Sequence, residues 1–323
     1  MEPSLGERHL SNIRQLTFGG NNAEAYWSRN NKRLIFQRQD QVDAGCDQQY
    51  VMNADGSKMR RVSNGFGRTT CGFFYARDRR ILYSSTFKHD RACPAPADRS
   101  AGYVWPLSHL EIYTAKTDGT DLRQLTSNGA YNAEATVSPD GNRIIFTSTV
   151  DGDIELYSMN IDGTGLRRLT LRIGYDGGAW FSPDGKMIVW RAAYPRTAAD
   201  TADYARLLEQ RLVRPARVEI WVANADGTNA RQVTNLGGAN FAPVFTPDGK
   251  KIMFSSNFEQ PRSGSFDLFL INLDGTGLEK ITTHSDFDSF PMFSYDGKKL
   301  VWASNRNQKH AGETNIFVAD WLP

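Results

Sequence analysis

The feature that most constrains this chain is one short turn, repeated along its length at a regular spacing. Ser-Pro-Asp-Gly stands at Ser138–Gly141 and Ser182–Gly185, Thr-Pro-Asp-Gly at Thr246–Gly249 and Ser-Tyr-Asp-Gly at Ser294–Gly297. Degenerate copies occupy Ser28–Asn31 and Tyr75–Asp78. Each is followed by an apolar run such as Ile144-Ile145-Phe146 or Leu300-Val301-Trp302. A turn tetrapeptide set before an apolar run is a β-hairpin signature. A second pattern recurs out of phase: strand, Asp-Gly, strand, as in residues 156–170 (LYSMNIDGTGLRRLT) and 220–234 (IWVANADGTNARQVT). Asp-Gly supplies the left-handed backbone a tight hairpin needs. Two hairpins per repeat and a period of roughly 45 residues describe the four-stranded blade of a propeller.

Counting fixes the number of blades. The first turn occurs six times and so does the third strand of the repeat, whose last copy is Asn315–Asp320. That copy runs out at Trp321 without an Asp-Gly turn or a fourth strand. The missing strand stands at the other end, where Arg14-Gln15-Leu16-Thr17 matches Arg123-Gln124-Leu125-Thr126. The expected fold is all-β: a six-bladed β-propeller whose last blade is closed by the N-terminal strand Ile13–Thr17. Closure removes the sheet edges an open array would expose. One domain over residues 1–323 is expected, with blades near 18–63, 64–126, 127–170, 171–234, 235–282 and 283–321 plus 13–17.

Composition excludes several classes. With 38 basic and 36 acidic residues and no basic stripe, nothing draws the chain to nucleic acid. No window approaches 18 uninterrupted apolar residues, so membrane insertion is not expected. The opening MEPSLGERHL lacks an apolar stretch, so the chain as written reads as having no signal peptide. The three cysteines, Cys46, Cys71 and Cys93, form neither a complete disulfide framework nor a Cys-x-x-Cys pair.

The combined pattern, Ser-Pro-Asp-Gly with its apolar run and then Asp-Gly closing on Arg-Gln-Leu-Thr, resembles the TolB-like propeller repeats. The resemblance runs from about Ile13 to Trp321. It extends more distantly to the propellers of the prolyl oligopeptidase and dipeptidyl peptidase families. Two departures limit it: neither the N-terminal α/β domain of TolB nor the peptidases' hydrolase domain with its Gly-x-Ser-x-Gly elbow is present in this sequence. The resemblance implies a periplasmic or secreted protein, with a cytoplasmic one left open.

It also implies a geometry. The innermost strand of each blade lines a central channel, and the loops entering it share one face with those between second and third strands. Six residues before each turn anchor stand Asn22, Thr69, Asn132, Asp176, Asn240 and Asp288; four residues before stand Glu24, Cys71, Glu134, Gly178, Ala242 and Phe290. Positions two apart on a strand share a face, so both rings are expected at the channel mouth. The first ring has an equally weighted structural reading, because Asn and Asp bond their own turn backbones at strand entries. Glu24 and Glu134 resist it, since a channel-facing carboxylate needs water, a cation or a ligand.

The anchors are 47, 63, 44, 64 and 48 residues apart, so blades two and four carry insertions. These are residues 88–108 and 192–217, the second with an expected helix over 199–212. Long insertions on one face mark a binding surface. His89 and His109 flank the first of them, and all three cysteines fall near the mouth. A disulfide from Cys71 to Cys46 or to Cys93 is open there, and it would favour an oxidising compartment. An oxygen-rich set of Glu24, Glu134, Asp176 and Asp288 suits calcium or another divalent cation.

Three functions compete. The first is a monomeric binding module taking a peptide, a protein segment or a small ligand at the mouth through Asn22, Glu24, Thr69, Asn132, Glu134, Asp176, Asn240, Asp288, His89 and His109. The second is a metal-assisted hydrolase or lyase with Glu24 and Glu134 as acid and base. The third is a scaffold for partners alone.

Overall fold

Six four-stranded antiparallel sheets form the ring of a six-bladed propeller. The computed structural model describes residues 1–40, 45–98, 100, 102–215, 217–261, 263–284 and 287–323. Residues 99, 101 and 216 of the two insertions lie outside that set. In blade three the inner strand Asn132–Val137 is followed by Arg143–Ser148, Glu155–Asn160 and the short outer strand Arg167–Arg168. The other blades repeat this order.

Each repeated residue has a mechanical task. The Ser of the first turn accepts the amide two residues past the Gly (Arg143 N to Ser138 Oγ, 3.0 Å) and donates to the turn Asp (2.5 Å). The Thr that ends the second pattern accepts the amide of the third strand. Thr126 takes Ile112 N at 2.9 Å, Thr170 takes Leu156 N at 2.9 Å and Thr234 takes Ile220 N at 2.8 Å. Thr17 does the same for Ile316 at 2.8 Å, across 299 positions of sequence.

That bond closes the ring. The N-terminal strand, Leu10–Gln15, pairs antiparallel with Asn315–Trp321. It starts three residues before the expected Ile13, because Leu10 and Ser11 also pair, with Trp321 and Asp320. Leu16 and Thr17 lie beyond the strand's end but keep their bonds to Ile316. Further back, Glu7 is buried against Arg306, which also binds Asp288.

The two insertions meet. Trp105–Pro106 from blade two pairs with Leu212–Val213 from blade four in a two-stranded ribbon that spans blade three. Leu107 and Val213 bury against Ile154 and Tyr175 beneath it. The helix runs Ala198–Glu209 from a capping box on Thr197 and Asp200, and stops short of the expected 212 because Leu212 has joined the ribbon. The disulfide is a correction to the expected pairing. It joins Cys46 to Cys93, with Cα atoms 5.4 Å apart, and leaves Cys71 as a buried free thiol. It ties the blade-two insertion back to blade one.

Candidate functional site

Every inner strand carries a β-bulge at the same place. The register slips between Ala23 and Tyr26, Thr70 and Phe73, Ala133 and Thr136, Gly177 and Trp180, Phe241 and Val244, and Ser289 and Met292. The bulged residue has a left-handed backbone each time: Glu24 (φ 52°), Cys71 (52°), Glu134 (59°), Gly178 (65°), Ala242 (52°) and Phe290 (56°). Only one of the six is a glycine, and a left-handed non-glycine residue costs roughly 1–2 kcal/mol. Bulges re-aim side chains and gather at sites.

The bulge breaks the alternation that joined the two rings, and the ring of six short polar residues does not line the mouth. Asn22, Thr69, Asn132, Asp176, Asn240 and Asp288 are each fully buried in blade junctions. Asn132 donates to Leu110 O and Glu111 of the preceding blade, and Asn240 donates to Val218 O and Glu219. Asn22 donates to Thr314 O, and Thr69 to Asp47 O. Asp176 accepts from Trp190 and Tyr194, and Asp288 from Trp302 and Arg306. Asn22, Thr69, Asn132 and Asn240 are spent there on carbonyls of the preceding blade, and the two Asp on side-chain donors of their own blades, as buried polar groups require.

Glu24, Cys71 and Glu134 do come together, with a residue that sequence reasoning missed. Arg191, on the second strand of blade four, donates through Nη2 to Glu134 Oε1. Thr147 Oγ1 donates to the other carboxylate oxygen at 2.9 Å. The guanidinium passes through a notch left by Gly178, where a Cβ would lie 2.1 Å from Arg191 Nη1. Trp105 of the ribbon and Tyr175 flank it, each ring centroid 5.5 Å away. An arginine inside the otherwise apolar run Ile188-Val189-Trp190-Arg191 was the available signal.

Glu24 lies deep in the molecule yet keeps some exposure along the channel. Burial pushes its carboxyl up to about 7; the Cys71 thiol beside it pulls down and the charge of Glu134 adds to the rise. Its Oε2 has no hydrogen-bond partner among the described residues. Burial, Glu24 and Glu134 together raise the Cys71 thiol well above its ordinary value, so it is a thiol and not a nucleophilic thiolate.

One turn deeper, Trp180 of blade four reaches across the channel. Its ring meets Tyr26 of blade one at 4.9 Å and Phe73 of blade two at 5.5 Å, both edge-on. The polar groups gathered on the channel's other side are Glu24, Cys71, Glu134 and Arg191, with Trp105 of the ribbon over the guanidinium.

The expected cation set does not assemble. Asp176 and Asp288 sit in separate junctions, and Glu134 is bound by Arg191. Among the described residues no group of three or more His, Cys, Asp or Glu is placed to hold a metal. The His89 and His109 rings lie against each other, tilted by 34° with centroids 3.9 Å apart, and His109 Nδ1 is bonded to Gly129 O.

Comparison with known proteins agrees with the architecture. The family described as TolB beta propeller domain matches residues 106–202 and 212–321. The Protein TolB homolog of Chlorobium luteolum is 30% identical over 159 residues, 49% of this chain and 31% of that protein. This chain therefore matches about a third of that relative's length. The putative TolB of Agrobacterium tumefaciens superposes with a TM-score of 0.62 at 18% identity, covering 96% of this chain and 97% of the other. A gluconolactonase of Xanthomonas campestris superposes at 0.63 and 15% identity, covering 97% and 91%. At such identities these two structures share the fold alone.

Proposed function

The chain belongs to the TolB beta propeller family, and from that premise we propose that it is a binding module, with Glu24 as the recognition group at the channel mouth. The occupant is a peptide, a protein segment or a small ligand bearing a hydrogen-bond donor. One observation carries this reading: a buried Glu24 carboxyl oxygen without a hydrogen-bond partner among the described residues, held on a left-handed backbone. Leaving such an atom unsatisfied costs about 1–3 kcal/mol, a penalty that a ligand donor would remove. The Cys46–Cys93 disulfide supports a periplasmic or secreted setting.

The test uses short peptides with free amino termini and their acetylated counterparts as probes, read by calorimetry. The free-amine peptides should bind more tightly at pH 8 than at pH 6, as Glu24 ionises. Glu24→Gln should weaken them about tenfold, the loss of one charged hydrogen bond. Equal binding by the parent and Glu24→Gln would remove Glu24 from recognition.

A second reading, acid–base catalysis by Glu24 and Glu134, draws support from the contrast between their settings. One carboxyl is poised near 7, and the other is held by a guanidinium. Binding ranks first because that guanidinium ties down the second carboxylate.

A further inference from the structure

The far end of the channel, ringed by the Ser-Pro-Asp-Gly turns, opens into a funnel of about 800 Å3. Trp180, packed on Tyr26 and Phe73, is among the residues that line it. The funnel's walls include Phe74, Phe245 and Phe293, and its rim carries Pro139, Pro183 and Pro247. Such a surface offers a shaped apolar recess beside polar groups.

Its charge is one-sided. Arg29, Arg77 and Arg79 line it from blades one and two, and all three are exposed. Two carboxylates also line it, and both are turned onto their own surroundings. Asp78 is buried and accepts the amides of Arg29 and Asn30 at 2.6 and 3.0 Å; Asp140 accepts Ser138 Oγ and Asn142 N within its turn. Arg29 lies over the exposed Tyr295 ring at 5.1 Å.

The basic lobe rests on an unusual backbone. Where blade three needs a single left-handed residue, Gly141, the blade-two turn has three in succession without a glycine: Ala76 (φ 51°), Arg77 (54°) and Asp78 (62°). Runs of this kind are strained and persist where surrounding structure holds them, often at sites. Here the run sets Asp78 under the blade-one turn and Arg77 and Arg79 on the rim.

We propose that this funnel is a second binding site, at the opposite end of the channel from Glu24. It takes an acidic protein segment that inserts one large apolar side chain and sets its carboxylates against Arg29, Arg77 and Arg79. An apolar anchor in a recess, flanked by complementary charge at the rim, is the general anatomy of a protein interface.

Two fluorescent peptides with one core, Asp-Glu-Trp-Phe-Leu-Glu-Asp and Lys-Lys-Trp-Phe-Leu-Lys-Lys, test this by anisotropy on the whole chain. The acidic peptide should bind saturably and at least about tenfold more tightly than the basic one, with affinity falling as salt rises. The double variant R77E/R79E should lose about tenfold toward the acidic peptide, while E24Q should leave it unchanged. Because the blade-two turn is strained, Arg29→Glu gives an independent measurement on a turn whose backbone Asp78 holds whatever the side chain. Equal affinity for both peptides, or charge reversal at both turns without effect, would overturn the proposal. So would a loss confined to E24Q, which would assign the peptide to the mouth. Failure of the amine probes at Glu24 would leave this outcome untouched.

Discussion

At the residue scale, the channel is built by backbone and not by side-chain type. Glu24, Cys71, Glu134, Gly178, Ala242 and Phe290 share a left-handed conformation and nothing else, so the bulge leaves no residue signature. Gly178 is the exception whose identity is forced, because Arg191 crosses the space a Cβ would fill. Gly178→Ala should therefore lose about 2–4 kcal/mol in urea unfolding, from left-handed strain and a disturbed buried ion pair. Gly237→Ala is the control: it is also left-handed (φ 75°), with nothing within 4 Å of an added Cβ, and should cost only the strain. Equal losses at the two positions would mean that Arg191 does not need the notch.

At the scale of the blade junction, one clasp is made with different chemistry at different joints. Asn132 donates to Glu111 and Asn240 to Glu219, but Asp176 faces Glu155. Both Asp176 Oδ2 and Glu155 Oε2 lack a partner among the described residues. Burial raises Asp176 to about 8, against the pull of Tyr194 and Trp190 and helped by the charges of Glu155 and Asp153. An acid whose folded pKa is raised keeps its full contribution below its unfolded value near 3.8 and loses stability as pH climbs toward 8. Asp176→Asn would restore the donor found at the other two joints. It should stabilise by about 1–2 kcal/mol at pH 8 and progressively less toward pH 4, read as melting temperature against pH. A variant less stable than the parent at pH 8 would show that the carboxyl itself holds the joint.

At the scale of the whole molecule, the ring depends on seventeen residues that precede blade one in sequence and complete blade six in space. Deleting residues 1–17 should expose the edge of Asn315–Trp321 and give aggregation in place of a cooperative melt. Trp321 lies opposite Leu10, so a permutant that starts at Phe18 and joins Trp321 to Leu10 through a short turn should melt cooperatively again. Failure of the permutant with a sound linker would mean that the first nine residues, with Glu7 against Arg306, contribute more than closure does.

Blade count, closure by the N-terminus and the two insertions were legible in the sequence, because hairpin turns demand particular residues at a fixed period. Glu24 and Glu134 stood out in the sequence as exceptions among small and apolar equivalents, and the structure brings them near Cys71 and Arg191. The burial of the six-residue polar ring was not legible, since Asn and Asp look alike in sequence whether they face water or a partner inside a blade junction. Nor was the company of Glu24 and Glu134. Arg191 reaches them from another blade through a glycine notch, Trp105 arrives on a ribbon made from two insertions, and Cys46 chose Cys93. Local patterning thus determined six blades and where the ring shuts. Only the tertiary structure decided which side chains meet in the channel and that Trp180 reaches across it to Tyr26 and Phe73. Those contacts join residues far apart in sequence, and no repeat period records them.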